Sequence, residues 1–235
     1  MYFTEKICAI SSIPLNIVIR PAENITRNLG LLMTPDLKWN AHISNKSSSA
    51  IKRWFNLTKV CRLNKPDVLV LIYKQFVRPI LEFPSSVIFN PISPTLISEL
   101  ERVQRRITRH ILFKAGYKHP IPTYEDRLRL LKLDTLEIRR NKFDLIFYSK
   151  IINNEVQIDE RNKPKQIHQF HTRNRNKRAY VQFAKLNVRR NSFFVKVPQI
   201  YLKLPTQITN ANNSEVLRSY INSKNVEIPS YKLTN

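Results

Sequence analysis

Apolar residues change their period near residue 39, and the change separates two kinds of element. Before it they come in short runs. Residues 13–19 are apolar apart from Pro14 and Asn16, and Leu29-Gly30-Leu31-Leu32-Met33 ends at Pro35-Asp36, a turn signature. These runs predict a short strand pair near residues 13–34. From Trp39 onward Ile43, Ile51, Trp54, Leu57 and Cys61 fit one helical stripe, with Lys46, Lys52, Arg53 and Lys59 mostly off it, which predicts a helix over about 41–62. A second helix opens at Pro66, a position that needs no N–H, continues through Leu69, Ile72, Tyr73, Phe76 and Val77, and is expected to stop near Arg78-Pro79. Ser93-Pro94 repeats the start signal, with Ser93 as capping side chain, for a helix over 94–114. Its buried stripe is Ile97, Leu100, Val103 or Gln104, Ile107 and Ile111.

Gly116 and the prolines at 120 and 122 interrupt the pattern, after which two more helices are predicted. Thr123 caps a short one through Leu128, Leu130 and Leu131, and Asp134 with Glu137 forms a capping-box-like pair opening a longer one over 135–153. Beyond residue 155 prolines and polar residues break every periodic run, so irregular chain with short strands or helices is expected. The fold class is therefore mainly α: a small N-terminal β element over 1–38, a three-helix bundle over 39–115, two further helices over 116–155, and a less regular basic region over 156–235. No fixed-period repeat occurs, which removes solenoid architectures.

Charge narrows the partners. The chain has 40 Lys plus Arg against 17 Asp plus Glu, a formal +23 on 235 residues, and the resulting field attracts phosphate polymers and anionic surfaces. A membrane partner is not expected, because no apolar run approaches the roughly 18–20 residues that span a bilayer and the start does not read as a signal peptide. The expected location is intracellular, in the nucleus or cytoplasm. Cys8 and Cys61 supply neither a disulfide framework nor a zinc cluster. With two glycines, Gly30 and Gly116, neither a P-loop nor a dinucleotide fingerprint can be written, since both need several close backbone approaches to phosphate.

One compound pattern points to a family. Tyr73, then Val77-Arg78-Pro79-Ile80-Leu81-Glu82-Phe83, then Leu100-Glu101-Arg102-Val103-Gln104-Arg105-Arg106-Ile107-Thr108-Arg109 resemble the segment just after the catalytic palm in reverse transcriptases of jockey-like and chicken-repeat-like non-LTR retrotransposons. Leu29-Gly30 with Leu37-Lys38-Trp39 and His42-Ile43 precedes it in the same order. Tyr124, Arg127-Leu128, Leu136-Glu137, Arg139-Arg140, Asp144-Leu145, Tyr148, Arg190, Ser192-Phe193-Phe194 and Leu204-Pro205 follow it. Residues 17–224 are covered. Phe83-Pro84-Ser85-Ser86-Val87-Ile88 departs from the family's Tyr-x-x-x-Val-Trp, and Tyr201 stands near where Trp is usual.

The resemblance implies the thumb and post-thumb part of an RNA-directed DNA polymerase, gripping an RNA or DNA template/primer duplex. Only 28 residues precede Leu29 and no Asp-Asp pair occurs, whereas two-metal phosphoryl transfer needs clustered carboxylates. The chain is thus expected to be inactive alone and to hold no cofactor, with Mg belonging to the catalytic domain it lacks and the palm and fingers as a further partner. The alternative is a stand-alone or domesticated RNA- or DNA-binding protein of retrotransposon origin. A scaffold for acidic proteins would need only the charge.

Candidate contacts follow from pattern. Arg102, Arg105, Arg106 and Arg109 stand at i, i+3, i+4 and i+7, on the helix face opposite Ile97, Leu100 and Ile107, and local acids balance them poorly. A solvated face is the plainer alternative. Arg78 either caps carbonyls at its helix end or meets nucleic acid. Residues 161–214 hold twelve Lys or Arg and no acid, interleaved with aromatics, which suits stacking on unpaired bases beside a cationic track; Arg173, Arg175, Lys177, Arg178, Arg189 and Arg190 are the candidates there. Tyr73 is expected in the core. His168 and His171 lack further ligands at metal spacing, and the acid pairs Glu125-Asp126 and Asp159-Glu160 read as a helix first turn and a loop.

Overall fold

The computed structural model describes residues 25–28, 30–34, 39–60, 64–83, 93–118, 120–158, 181–185, 187–190 and 192–223. The run over 13–19 and the cysteines lie outside them. The second predicted run supplies β2 (Leu31–Met33), which pairs with a strand the sequence did not single out, β1 (Thr26–Asn28), antiparallel with Thr26 opposite Met33 and Asn28 opposite Leu31. Gly30 in the connection has φ 83°, a conformation that costs a residue without a side chain almost nothing. The Leu32 N–H donates to His42 Nδ1 at 3.2 Å, which ties the hairpin to the first helix.

That helix, α1 (Asn40–Val60), buries Ile43, Ala50 and Trp54 against α4 (Pro94–Lys114), which buries Leu100, Val103, Ile107, Ile111 and Leu112. Full burial of such side chains stabilises by about 1.5–3 kcal/mol each, and Trp54 adds a directed contact by donating its indole N–H to His110 Nδ1 at 3.1 Å. The third member begins as α2 (Pro66–Ile72) and does not end at Arg78-Pro79 as the proline suggests. It widens into a π turn over Tyr73–Val77 and continues as α3 (Arg78–Glu82). Arg78 N–H donates five residues back, to the Tyr73 carbonyl. Such a wide turn lets a helix pass a proline, whose ring and missing N–H disrupt the ordinary four-residue ladder. The bundle therefore gains a turn carrying Leu81 and Glu82, both buried.

The helix ends show where local signals were overridden. Ser93 precedes Pro94 as expected, yet its hydroxyl pairs with that of Thr95 at 2.7 Å and caps no backbone N–H. Thr123 does cap α5 (Tyr124–Leu130), accepting from the Asp126 N–H at 3.3 Å. For α6 (Leu136–Ile152) the cap is Thr135, accepting from Ile138 N–H at 3.2 Å, and not the expected Asp134 pair. Asp134 is drawn away by Lys142 at 2.8 Å, while Glu101 reaches across from α4 to accept the Leu136 N–H at 3.1 Å. Three helices close alike: Tyr117, Leu133 and Glu155 N–H donate to Leu112, Leu128 and Lys150 carbonyls, with Gly116, Lys132 and Asn154 at φ 88°, 51° and 56°.

Past residue 155 the expected short helices occur among the described residues, and they build a core that the sequence did not foresee. Helices α7 (Asn187–Arg190), α8 (Phe193–Tyr201), α9 (Thr206–Thr209) and α10 (Ser214–Asn222) occur there. Phe193, Val197, Ile200, Tyr201, Leu217 and Ile221 form a second core with Leu145, Tyr148, Ile151 and Ile152 of α6. Pro198 lies inside α8, where it removes one backbone bond at a cost of about 3 kcal/mol; burial of Val197, Pro198, Ile200 and Tyr201 around it offsets that loss. Glu155 accepts from the backbone N–H and hydroxyl of Ser214 at 2.7 and 2.5 Å, joining the end of α6 to the start of α10. Thus α6 serves both cores: Leu136 at its start completes the first, and its C-terminal half builds the second.

Candidate nucleic-acid interface

Arg102, Arg105, Arg106 and Arg109 are all exposed on the side of α4 that faces away from its buried stripe. Two are held by rings. Arg105 Cζ lies 5.0 Å from the Tyr124 ring centroid and Arg106 Cζ 5.1 Å from that of Phe55, so each guanidinium rests on an aromatic face while its side chain stays exposed. None of the four forms an ion pair among the described residues. The neighbouring acid, Glu101, is buried and occupied by Tyr124 and Leu136. Four cations over about two turns of helix, with the buried Glu101 acting electrostatically on Arg105, make a dense positive field.

Adjacent groups reinforce that field. Arg127 sits 5.5 Å from the same Tyr124 ring, its Nε donating to Thr108 Oγ1 at 3.3 Å and its terminal nitrogen to the Pro122 carbonyl at 2.7 Å. Burial lowers its pKa first, and repulsion from Arg109 lowers it further. His110 is also lowered, by burial and then by Lys114 and Arg106, which favours the neutral imidazole that its Nδ1 needs to accept from Trp54. On α1, Lys52 and Lys59 are exposed three residues before and four after Phe55, along the edge that meets α4. Sequence periodicity left them as solvent residues. Only the packing of α1 beside α4, with Phe55 under Arg106, brings them to this face.

The opposite side of α4 fixes the helix. Gln104 is fully buried; its carbonyl accepts from Tyr73 Oη at 2.5 Å, and its amide donates to Tyr124 Oη at 3.1 Å and the Asp134 carbonyl at 2.9 Å. Tyr124 in turn donates to Glu101. Burial raises Tyr73, Tyr124 and Glu101 above their ordinary values, so the two phenols stay protonated donors. The network links the π turn, α4, α5 and the start of α6, and so sets the orientation of the arginine face.

The other predicted residues fare differently. Arg78 is turned inward: its Nε lies 3.7 Å from Glu82, the carboxylate that Arg139 holds at 2.5 and 3.3 Å, and among the described residues it neither caps a carbonyl nor joins the exposed face. Burial lowers its pKa, with Arg139 adding to the effect. Tyr73 is in the core, as its stripe position predicts. Arg189 and Arg190 are exposed on α7, which packs against α8 in the second helical unit; Arg189 reaches Gln182 at 3.5 Å. Arg173, Arg175, Lys177 and Arg178 lie outside the described residues, as do His168, His171, Asp159 and Glu160. Glu125 and Asp126 stand in the first turn of α5, where Asp126 meets Arg129 at 3.3 Å.

Among the described residues no group of three His, Cys, Asp or Glu is arranged to hold a metal ion, and no helix is long and apolar enough to cross a membrane. Compared with protein-family models, with curated proteins and with solved structures, the chain matches none.

Proposed function

We propose that this chain is the thumb and post-thumb portion of a non-LTR retrotransposon reverse transcriptase, and that it grips the template/primer duplex through phosphate contacts made by α4. The observation that carries the proposal is the Arg102, Arg105, Arg106 and Arg109 face: exposed, without an ion pair among the described residues, and backed by a buried hydrogen-bond network. Exposed guanidinium groups laid on rings suit bidentate contact with phosphate oxygens. The ordered sequence blocks that resemble the family supply the biological context, and the net charge of +23 supplies the long-range attraction.

Two measurements on the purified chain test this. A fluorescence-anisotropy titration with an RNA–DNA hybrid and with heparin should show preference for the hybrid, because phosphate spacing on a duplex is regular and α4 sets the arginines at fixed helical intervals. Equal or stronger binding to heparin would reduce the chain to a nonspecific polycation. A primer-extension assay with magnesium or manganese should show no incorporation, and template-dependent synthesis would overturn the assignment to a portion lacking the catalytic carboxylates.

A further inference from the structure

The arginine row on α4 continues into an aromatic side chain. Phe113 stands four residues beyond Arg109 and seven beyond Arg106, hence on the same helix face, and it is 67% exposed. At ~1.5 Å per residue it lies about 16 Å along the axis from Arg102. Tyr117 follows the helix end and is 45% exposed. Gly116, at φ 88°, and the Tyr117 N–H bond to the Leu112 carbonyl at 3.1 Å fix the chain reversal there. Exposed phenylalanine is costly to solvate, and among the described residues Phe113 packs against neither hydrophobic core.

We infer that Phe113 is a stacking platform for an unpaired base, so that the surface fits a nucleic acid whose duplex gives way to single strand at the C-terminal end of α4. The inference rests on the proposed phosphate contact of the arginine row and adds to it the form of the ligand. Charge complementarity selects the occupant: an apolar partner would have to bury the adjoining arginines, which form no ion pair among the described residues, whereas a nucleic acid supplies phosphates for them and a base for the ring. Aromatic stacking is tolerant of base identity, so the preference is for unpaired structure and not for sequence.

The test uses a blunt RNA–DNA hybrid and the same hybrid with a short single-stranded extension at either end, titrated at fixed salt. Wild type is expected to bind one extended hybrid more tightly than the blunt one. Phe113→Ala is expected to weaken binding to that extended hybrid by about 5- to 150-fold, and to weaken the blunt hybrid much less. Its salt slope should match wild type, since no phosphate contact is lost. Phe113→Trp should restore the preference, with its emission quenched by the extended hybrid. Equal weakening on both probes, no weakening on either, or a dimer that Phe113→Ala dissociates without changing affinity for the extension would overturn the stacking platform. Failure of wild type to bind even the blunt hybrid would remove the phosphate contact as well; intact blunt binding with an unaffected extension would remove the platform alone.

Discussion

Replacing Gln104 by Leu should expose how much of the fold depends on one polar side chain in the core. The apolar volume is roughly kept, so the loss comes from hydrogen bonds. Tyr73 Oη, whose residue is fully buried, loses its acceptor at 2.5 Å, and the partly buried Asp134 carbonyl loses a donor at 2.9 Å. Tyr124 keeps its bond to Glu101 and suffers least. A stranded buried polar group costs about 1–3 kcal/mol, with the carbonyl at the lower end, so the substitution should destabilise by about 2–4 kcal/mol. Tyr73→Phe removes the stranded hydroxyl, and the double variant should therefore be about 1–2 kcal/mol more stable than the sum of single losses implies. Urea unfolding followed by circular dichroism measures all four states of the cycle. A single-variant loss below about 1 kcal/mol, or strict additivity, would refute the view that this network orients the arginine helix.

Other changes isolate other features. Lys132, at φ 51° in the chain reversal after α5, carries left-handed strain that glycine relieves, so Lys132→Gly should stabilise by about 0.5–1 kcal/mol in thermal unfolding after the entropy gained by the unfolded chain is subtracted. Burial holds Lys196, which faces Asp144 at 3.7 Å and has Arg140 nearby, down at about 8. Between that value and its ordinary one of 10.5 the unfolded chain keeps the proton that the folded chain has released, so stability rises with pH from about 8 toward 10. The wild-type minus Lys196→Met stability difference, followed by denaturation across that range, should carry the rise; a flat difference would contradict it.

Periodicity made the first core legible because each helix there buries one stripe: Trp54, Tyr73, Leu100, Ile107 and Ile111 are where three- and four-residue spacing puts them. It did not foresee the π turn, because Pro79 reads locally as a stop and only packing of Leu81 and Glu82 makes the continuation favourable. The second core was hidden for a similar reason. Pro198 reads locally as a break in what is a nine-residue helix, and the stabilising partners lie on α6, some fifty residues away in sequence. At the interface, the four arginines of α4 were readable from spacing alone. Arg78 was not, because the same spacing cannot say that Glu82 and Arg139 enclose it. Phe113 had a signal, four residues after Arg109 on the polar face, but its exposure is a tertiary fact.

Salt dependence tests the central claim most directly. Each arginine that meets a phosphate releases condensed counterions and contributes about 0.7–0.9 to the slope of log affinity against log salt. With Arg102, Arg105, Arg106 and Arg109 all changed to Gln, whose helix propensity is close to that of Arg, the buried stripe and the Gln104 network remain while the four contacts go. The account predicts that the slope for an RNA–DNA hybrid flattens by roughly two to four units, with helix content unchanged by circular dichroism. A quadruple variant with the wild-type slope would show that this face meets solvent only, and that nucleic-acid binding, if present, belongs to the basic C-terminal region.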